Sequence, residues 1–415
     1  MTSSNSDQTS NSTSSFEWWY IAHFVFGVVY LGFVPILVPT YVIEISGSAA
    51  EAGVVMAIIG LGALLAPVIG GFADKYRAHR MAQLAGLLAL ALGGMAFAIA
   101  QEDLFFAIAA ILVGVGVATV MMINPTFIVG AGFAQELESR RLTRLNQTAI
   151  VGQLTGGLLV AGLTQVGLSF PARFMVMAVI ALIGLVITAI TNKEAAARLA
   201  TVGEPSEENV AATPDLKTIL ASAFGLFLLA MMINGLGQGA IESQYPNYMQ
   251  KVFSISPALS ASALSVTAIF NLLLIGIAGS WMARSGPTPV FLASLILRLA
   301  AAIVLIVLAI VGGVPAFLPL GMYVLLLVGI AWVDLAGPAL AGRLSVATMG
   351  TTQGFLMGSL AIGTALGSLT GGLAAESIGF QSLPWITAGG VALALLFGYM
   401  AISRTRTSKS AEVLN

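Results

Sequence analysis

Apolar segments of about 20 residues follow one another along almost the whole chain, separated by short polar or glycine-rich stretches. A helix needs about 20 apolar residues to cross the hydrocarbon core of a bilayer. The pattern therefore predicts an all-α membrane protein with 12 transmembrane helices. The predicted spans are residues 18–43, 52–73, 82–100, 105–131, 147–168, 173–192, 218–241, 261–283, 289–312, 316–340, 353–375 and 384–403.

The longest polar stretch inside the chain, residues 193–217, divides the spans into two groups of six. It predicts a cytoplasmic linker between two pseudo-symmetric bundles, an N-terminal one (18–192) and a C-terminal one (218–403). Residues 1–17 are rich in Ser, Thr and Asn, which predicts a disordered N-terminal tail. Residues 404–415 are predicted to form a C-terminal cytoplasmic tail.

Composition supports the membrane prediction. The chain is 58% hydrophobic and only 8% charged, whereas about 25% of the residues of a soluble protein are charged. A net charge of −1 gives no reason to expect a nucleic acid partner. With no cysteine, two histidines and no nucleotide-binding glycine loop, we expect no metal, no cofactor and no enzymatic activity.

The basic residues predict the orientation. With both termini in the cytoplasm, 14 of the 17 Lys and Arg residues lie in cytoplasmic loops and tails. Basic residues near short loops face the cytoplasm in most membrane proteins. We therefore expect a multi-pass protein of the cell (inner or plasma) membrane with both termini inside.

An eight-residue segment occurs in two related versions, each after the second span of its bundle. The first is Gly70–Arg77, and the second, 209 residues later, is Gly279–Gly286. Both begin with Gly and carry a basic residue at the sixth position, but the second has Ala283 where the first has Asp74. Internal repeats of this kind are typical of transporters whose two halves move around a central binding site.

At these residues the chain resembles the major facilitator superfamily (MFS) of secondary transporters. The loop after helix 2 of that family has the outline Gly-x-Leu-Ala/Ser-Asp-basic-x-Gly-basic-basic. Gly70, Ala73, Asp74 and Lys75 match it, whereas Arg77 stands in place of the second Gly. The resemblance covers nearly the whole chain and implies two six-helix bundles that alternate in access.

The resemblance also implies a gating role for this motif. Asp74 is expected to face the positive end of a neighbouring helix, and Lys75, Arg77 and Arg80 are expected to pair with acids on the cytoplasmic side. In the family this loop latches against helix 11, here residues 353–375. The alternative is that these basic residues only mark a cytoplasmic loop.

Glycines crowd several spans, and in the eleventh Gly363, Gly367 and Gly371 share one face. They predict either a surface on which the two halves move or static helix packing. The Gly152–Gly157 segment and the start of the eleventh span, Gln353–Gly358, resemble drug-exporting members of the family, which favours export.

Four ionisable residues within or at the ends of spans are functional candidates, because burying a charge in a membrane is costly. Arg298 and Asp334 lie at similar depths, so we expect an ion pair that is either structural or proton-sensitive. His23 is either a buried or interfacial histidine or a titrating one. Glu242 either lines the outer vestibule or is solvated.

In the family, helices 1, 4, 7 and 10 line the cavity. The polar residues that these helices offer here are few, which predicts an uncharged, amphipathic or weakly cationic solute. The candidate cavity residues are Tyr30, Asn124, Thr126, Asn234, Gln238, Trp332 and Asp334.

We therefore expect a secondary active transporter of a small organic solute, with proton-coupled efflux by antiport. The alternatives are a proton-coupled uptake symporter and a membrane assembly factor that keeps the fold without transport. The expected partners are a small-molecule substrate, a coupling proton and the lipid bilayer, and the protein is expected to be a monomer.

Overall fold

The structure is a computed structural model that describes residues 17–133, 135–201, 216–345 and 349–413. All regular secondary structure in these ranges is helical. The predicted tail before Glu17 and most of the predicted linker lie outside the described residues.

The helices of the N-terminal half precede a short helix at the start of the predicted linker. In order they are α1 (Trp18–Ser46), α2 (Ala49–Leu61), α3 (Ala66–Lys75), α4 (His79–Ile99), α5 (Asp103–Val129), α6 (Gln135–Gln165), α7 (Phe170–Thr191) and α8 (Lys193–Thr201). Those of the C-terminal half are α9 (Leu216–Ala221), α10 (Ala223–Glu242), α11 (Tyr245–Phe253), α12 (Pro257–Ser285), α13 (Pro287–Val311), α14 (Phe317–Leu344), α15 (Met349–Ser377) and α16 (Leu383–Val413).

In the part of the chain that the structure describes, 10 helices are long and apolar enough to cross a membrane. Two further spans complete the predicted twelve. One is formed by α2 and α3 together, joined by the 3-10 turn Gly62–Leu65, and the other is α6. The helices α6 and α16 run beyond the predicted spans 147–168 and 384–403. Hydropathy marks where a helix leaves the apolar core, whereas backbone hydrogen bonding continues through polar residues into water.

Helix α1 is irregular at its centre. Residues Gly27–Phe33 form a π-helical stretch, just before Pro35. Proline has no N–H to donate to the fourth residue before it, and a widened turn is one way to accommodate that missing bond. The stretch holds Tyr30, and its Gly32 packs on α6, since a Cβ there would lie 2.7 Å from the Cα of Gly156.

The glycine face of α15 packs inside its own half. A Cβ at Gly363, Gly367 or Gly371 would collide with the backbone of α10. Helix α10 also packs along α16, while α13 packs on α14 and α16. Within the described residues, this stripe therefore serves static packing, which corrects the idea that it forms a moving surface between the halves.

The two halves meet through α2 with α15 and through α6 with α12. These contacts are concentrated at one end of the molecule, which we call the closed end. There Glu376 of α15 accepts hydrogen bonds from Ser48 Oγ (2.5 Å) and Ala50 N (2.8 Å), ahead of α2 and in its first turn. A Cβ at Gly372 would lie 2.6 Å from the Ala49 carbonyl oxygen, so the two backbones are in contact.

At the other end, which we call the open end, α3 packs against its own half. A Cβ at Gly70 would meet the Met122 side chain of α5. The described parts of α3 and α15 make no extensive contact with each other. A groove of about 480 Å³ runs along α12 here, lined by Leu273, Trp281 and four neighbouring residues. The described parts of the two halves are therefore less closely packed at this end, and we call the space between them the cavity.

Candidate functional site

The cavity between the halves contains three ionisable side chains from the C-terminal half. Glu242 ends α10, Arg298 lies in the middle of α13, and Asp334 lies on α14. The three are close enough for the charges of both carboxylates to act on the guanidinium. Within the described residues, no group of three or more acidic or histidine side chains could hold a metal ion.

Arg298 is 1% exposed and is held by an amide. Its stem passes Gly329 of α14, where a Cβ would lie only 3.0 Å from Cδ of Arg298. Beyond that gap, Nη1 donates a hydrogen bond to Oδ1 of Asn234 on α10. The absence of a side chain at Gly329 thus makes room for Arg298 and lets it reach α10.

The expected direct pair of Arg298 with Asp334 is not present in this conformation. The ion pairs found among the described residues lie elsewhere, because the guanidinium extends towards Asn234. Asp334 lies five residues beyond Gly329, about 7 Å along the helix axis. Its side chain is exposed although it is far from both ends of α14, which places the carboxylate on the cavity wall.

Glu242 belongs to the same cluster. It accepts a hydrogen bond of 3.0 Å from Nε2 of Gln238, one helical turn earlier, and is half-buried. Its charge acts on the phenol groups of Tyr30 and Tyr323. The sequence allows Glu242 either to line the vestibule or to face solvent, and the Gln238-x-x-x-Glu242 spacing is the signal that it has a partner.

Within the described part of the chain, several buried polar atoms around this cluster have no hydrogen-bond partner. They are Nδ2 of Asn234, Nε of Arg298 and Nε1 of Trp332. The Trp332 ring meets Trp281 of the repeat segment edge to face, with 6.3 Å between ring centroids. Buried donors are nearly always paired, so these three atoms mark polar groups that this conformation leaves unsatisfied.

Two predicted cavity residues of α5 are otherwise engaged. Asn124 is fully buried inside the N-terminal half rather than lining the cavity. Thr126 is half-buried and donates to the Met122 carbonyl at 3.0 Å, within its own helix. Prediction from the family's helix numbering identified the helix but not the face on which these residues lie.

His23 ends a chain of buried side chains in the N-terminal half. Arg80 Nε donates to Asn192 Oδ1 (2.9 Å), and Asn192 Nδ2 donates to Gln83 Oε1 (2.8 Å). Gln83 Nε2 then donates to Asn124 Oδ1 (2.8 Å), and Asn124 Nδ2 lies 3.2 Å from Nδ1 of His23. Gln83 and Asn192 could not be recognised from the sequence, because polar residues at the ends of spans are common.

The motif residues lie around the open end. Gly70 contacts α5, Lys75 lies over the ring of Tyr76 at 5.5 Å, and Arg77 has a positive φ of 50°. Arg80 joins the chain of amides. The side chain of Asp74 lies outside the described part of the structure, so its predicted latch stays a prediction.

A carboxylate at the start of α1 ties α8 to the N-terminal half. Glu17 accepts hydrogen bonds from Trp19 Nε1 (2.6 Å) and Arg198 Nη2 (2.7 Å), and it pairs with the buried Arg141 of α6. Burial raises the pKa of Glu17, but the hydrogen bonds from Arg198 and Trp19 and the charges of Arg198 and Arg141 together hold that pKa below its usual value.

Comparison with known proteins agrees with this architecture. The sequence profile of the Major Facilitator Superfamily matches residues 19–229 and 227–413. No curated protein matches at a significant level.

Solved structures with a similar fold include the nucleoside transporter NupG and the peptide transporter POT in complex with alafosfalin. The first has a TM-score of 0.74 and 16% identity, covering 92% of this chain and 98% of its own. The second has a TM-score of 0.75 and 16% identity, covering 94% of each chain. On the evidence of its two six-helix halves, its repeated loop and a profile match over nearly its whole length, the chain belongs to the Major Facilitator Superfamily of membrane transporters.

Proposed function

We propose that the protein is a secondary active transporter that exports a small, weakly cationic organic solute in exchange for protons. The observation that carries the proposal is the charge arrangement of the cavity. Asp334 and Glu242 face it, whereas the nearby cation Arg298 is held by Asn234. The cavity wall therefore has a surplus of negative charge.

This surplus gives a physical basis for exchange. A carboxylate that is buried without a partner costs several kcal/mol. When the open end closes over Asp334, that cost falls if the carboxylate has bound either a proton or a cationic solute. Because the proton and the solute neutralise the same carboxylate, binding of one favours release of the other. This competition couples their movements in opposite directions, as antiport requires.

The solute's other contacts come from the aromatic groups nearby. Trp332 and Tyr30, which are both half-buried, offer ring faces for an organic cation. The two carboxylates carry two negative charges and the nearby Arg298 carries one positive charge. A solute with a single positive charge would therefore neutralise the cluster. An amphipathic amine with a flat ring system meets these conditions.

The direction is inferred from sequence features. The basic residues favour an open end that faces the cytoplasm, and the starts of the fifth and eleventh spans resemble drug-exporting family members. In this orientation the open end would receive a solute from the cell interior. Uptake by symport remains the alternative function, because the same cavity could be loaded in either direction.

The test begins with purified protein and a panel of monovalent aromatic amines, with nucleosides and dipeptides added because the similar folds belong to transporters of those names. Thermal shift at an acidic and an alkaline pH identifies ligands, since binding raises apparent stability. Hits are then followed in vesicles of both orientations with an imposed proton gradient. Everted vesicles should accumulate the solute.

Asp334→Asn tests the coupling step. We expect gradient-driven flux to fall by at least about tenfold, while exchange of labelled for unlabelled solute continues. Glu102→Gln, which removes an exposed carboxylate at a helix start, is the matched control and should leave both unchanged. Undiminished gradient-driven flux in Asp334→Asn contradicts the coupling proposal. Accumulation only in right-side-out vesicles supports uptake, and no flux of any hit supports a non-transporting role.

A further inference from the structure

The buried amides of the N-terminal half form a relay with a fixed direction. At its outer end Arg80 also donates to the Ala189 carbonyl at 3.0 Å, near the last turn of α7. At its inner end the His23 ring lies 5% exposed between α5 and α6. Gln83, Asn124 and Asn192, which join the two ends, are each fully buried.

Arginine sets the direction because it can only donate hydrogen bonds. Asn192 must therefore present its oxygen to Arg80, which leaves its NH₂ group to donate to Gln83. Gln83 and then Asn124 take the same orientation, in which the oxygen accepts from the preceding residue and the NH₂ group donates to the next one. The orientation of all three amides thus follows from the identity of Arg80.

The relay ends at Nδ1 of His23 with a donor facing it. Asn124 Nδ2 lies 3.2 Å from this nitrogen, so Nδ1 has to accept. A neutral imidazole that accepts at one nitrogen carries its proton on the other. The ring is therefore neutral with its proton on Nε2, where it can bond to Asn146 of α6.

We propose that Arg80 is a positioning residue that sets the tautomer and the neutral state of His23 through Asn192, Gln83 and Asn124. A charged ring would bring two donors face to face at Asn124. It forms only if Asn124 turns over, and with it Gln83 and Asn192, which then cannot accept from Arg80. Proton binding at His23 and the position of Arg80 are thus linked reciprocally.

The relay is the main electrostatic influence on the His23 ring, because few other polar groups lie near it. The polar side chains that face it are Asn124 from α5 and Asn146 from α6. Among the described residues, no charged group on α1, α5, α6 or α7 acts on the ring. The relay lies in the other half of the molecule from the cavity carboxylates, and its hydrogen bonds form without a solute.

The relay can be tested by solid-state NMR of the full-length protein in bilayers with ¹⁵N-labelled histidine. The chain has two histidines, so His79→Asn assigns the signals. In the wild type at neutral pH we expect one neutral tautomer of His23, with the proton on Nε2. A proton on Nδ1 would overturn the proposal without any variant of the relay.

Three variants test the role of Arg80. Arg80→Lys keeps a group that only donates and should keep the single tautomer. Arg80→Gln can also accept, so the direction is lost and both tautomers, together with a charged fraction, should be seen. Arg144→Gln, which removes an exposed arginine of the same half outside the relay, should match the wild type.

Asn192→Asp provides an independent test if Arg80→Gln does not fold. The carboxylate still accepts from Arg80 but has no NH₂ group, so Gln83 has to turn its own NH₂ group towards it and the relay is reversed. The oxygen of Asn124 then faces His23, and we expect a proton on Nδ1, either in the other neutral tautomer or in a charged ring. An unchanged Nε2–H tautomer in folded Arg80→Gln or folded Asn192→Asp would show that Arg80 does not set the state of the ring.

Discussion

The closed and open ends of the molecule are held in different ways. At the closed end the contacts cross between the halves, with Glu376 bonded to Ser48 and Gly372 packed on Ala49. At the open end, the polar contacts that the structure describes in detail stay within one half. Glu17 ties α8 to α6, and Arg80 ties α4 to α7.

This difference separates contacts that must break in each transport cycle from contacts that need not. Alternating access moves one half against the other as largely rigid bodies. Contacts within a half travel with it and keep it rigid, whereas contacts between halves set the balance between the two states. Substitutions at the two ends should therefore change different measurements.

The largest shift in this balance is expected from Gly372→Val. A side chain here would overlap the Ala49 carbonyl, because a Cβ would lie 2.6 Å from it. Overpacking of this kind costs about 1–3 kcal/mol, which would reduce the population closed at this end by about tenfold or more. Spin labels at Ile45→Cys and Ile378→Cys in this cysteine-free chain measure the opening by electron paramagnetic resonance distances.

Gly162→Val is the matched control, because a Cβ at Gly162 of α6 would meet nothing within 4 Å. It should leave the distance distribution unchanged. Equal distributions in Gly372→Val and wild type would mean that this packing does not set the balance between states.

At the open end, Glu17→Gln should lower stability without shifting the two states. Losing charged hydrogen bonds to two arginines costs about 2 kcal/mol, which thermal unfolding can measure. Since the pKa of Glu17 is lowered in the folded protein, its stabilisation is present above the ordinary carboxylate pKa. It is lost as pH falls through the lowered value, so the variant and the wild type should converge in acid.

Glu194→Gln is the control for this prediction, because Glu194 is exposed on the same short helix α8. It should unfold like the wild type at every pH. A change in the label distances at the closed end of Glu17→Gln would contradict the separation of the two kinds of contact.

Much of the fold could be predicted from the sequence, because a membrane span depends on the summed hydropathy of its residues. About twenty apolar residues predict a membrane helix whatever their order, and this rule identified all twelve predicted spans. The continuation of α16 to Val413 could not be predicted in this way, because hydropathy carries no information on helix hydrogen bonding beyond the membrane.

The site was harder to predict because its contacts depend on which way a side chain points. Asp334 and Arg298 were identified from the cost of burying charge, yet Arg298 bonds Asn234 because Gly329 lets its stem pass. Nothing in the spacing of Asn124 and Gln83 distinguishes a relay from residues that line a cavity. Charge in a span can be predicted from sequence, whereas amide partners require the packed structure.

A smaller change at the closed end is expected from Glu376→Gln. The exposed carboxylate bonds Ser48 Oγ and the Ala50 N–H near the positive end of α2. Glutamine can keep one of these bonds but loses the charge, so the closed population should fall by about two- to fivefold. The same spin labels measure it, and the effect should shrink at high salt. An effect as large as that of Gly372→Val would mean that the carboxylate, not the packing, holds this end.

The smallest effect is expected where the two copies of the repeat can be compared directly. Arg77 and Gly286 occupy equivalent positions, and both have a positive φ, of 50° and 79°. Glycine adopts this conformation without strain, whereas other residues pay about 1–2 kcal/mol. Arg77→Gly should relieve that cost but gain freedom when unfolded, for a net stabilisation of about 0.5 kcal/mol.

Gly286→Ala should destabilise instead, since alanine brings the strain without adding charge. Because each position lies in a loop within its own half, thermal unfolding should change in opposite directions while the label distances at the closed end stay the same. A destabilised Arg77→Gly would show that the arginine side chain makes contacts worth more than the backbone strain it imposes.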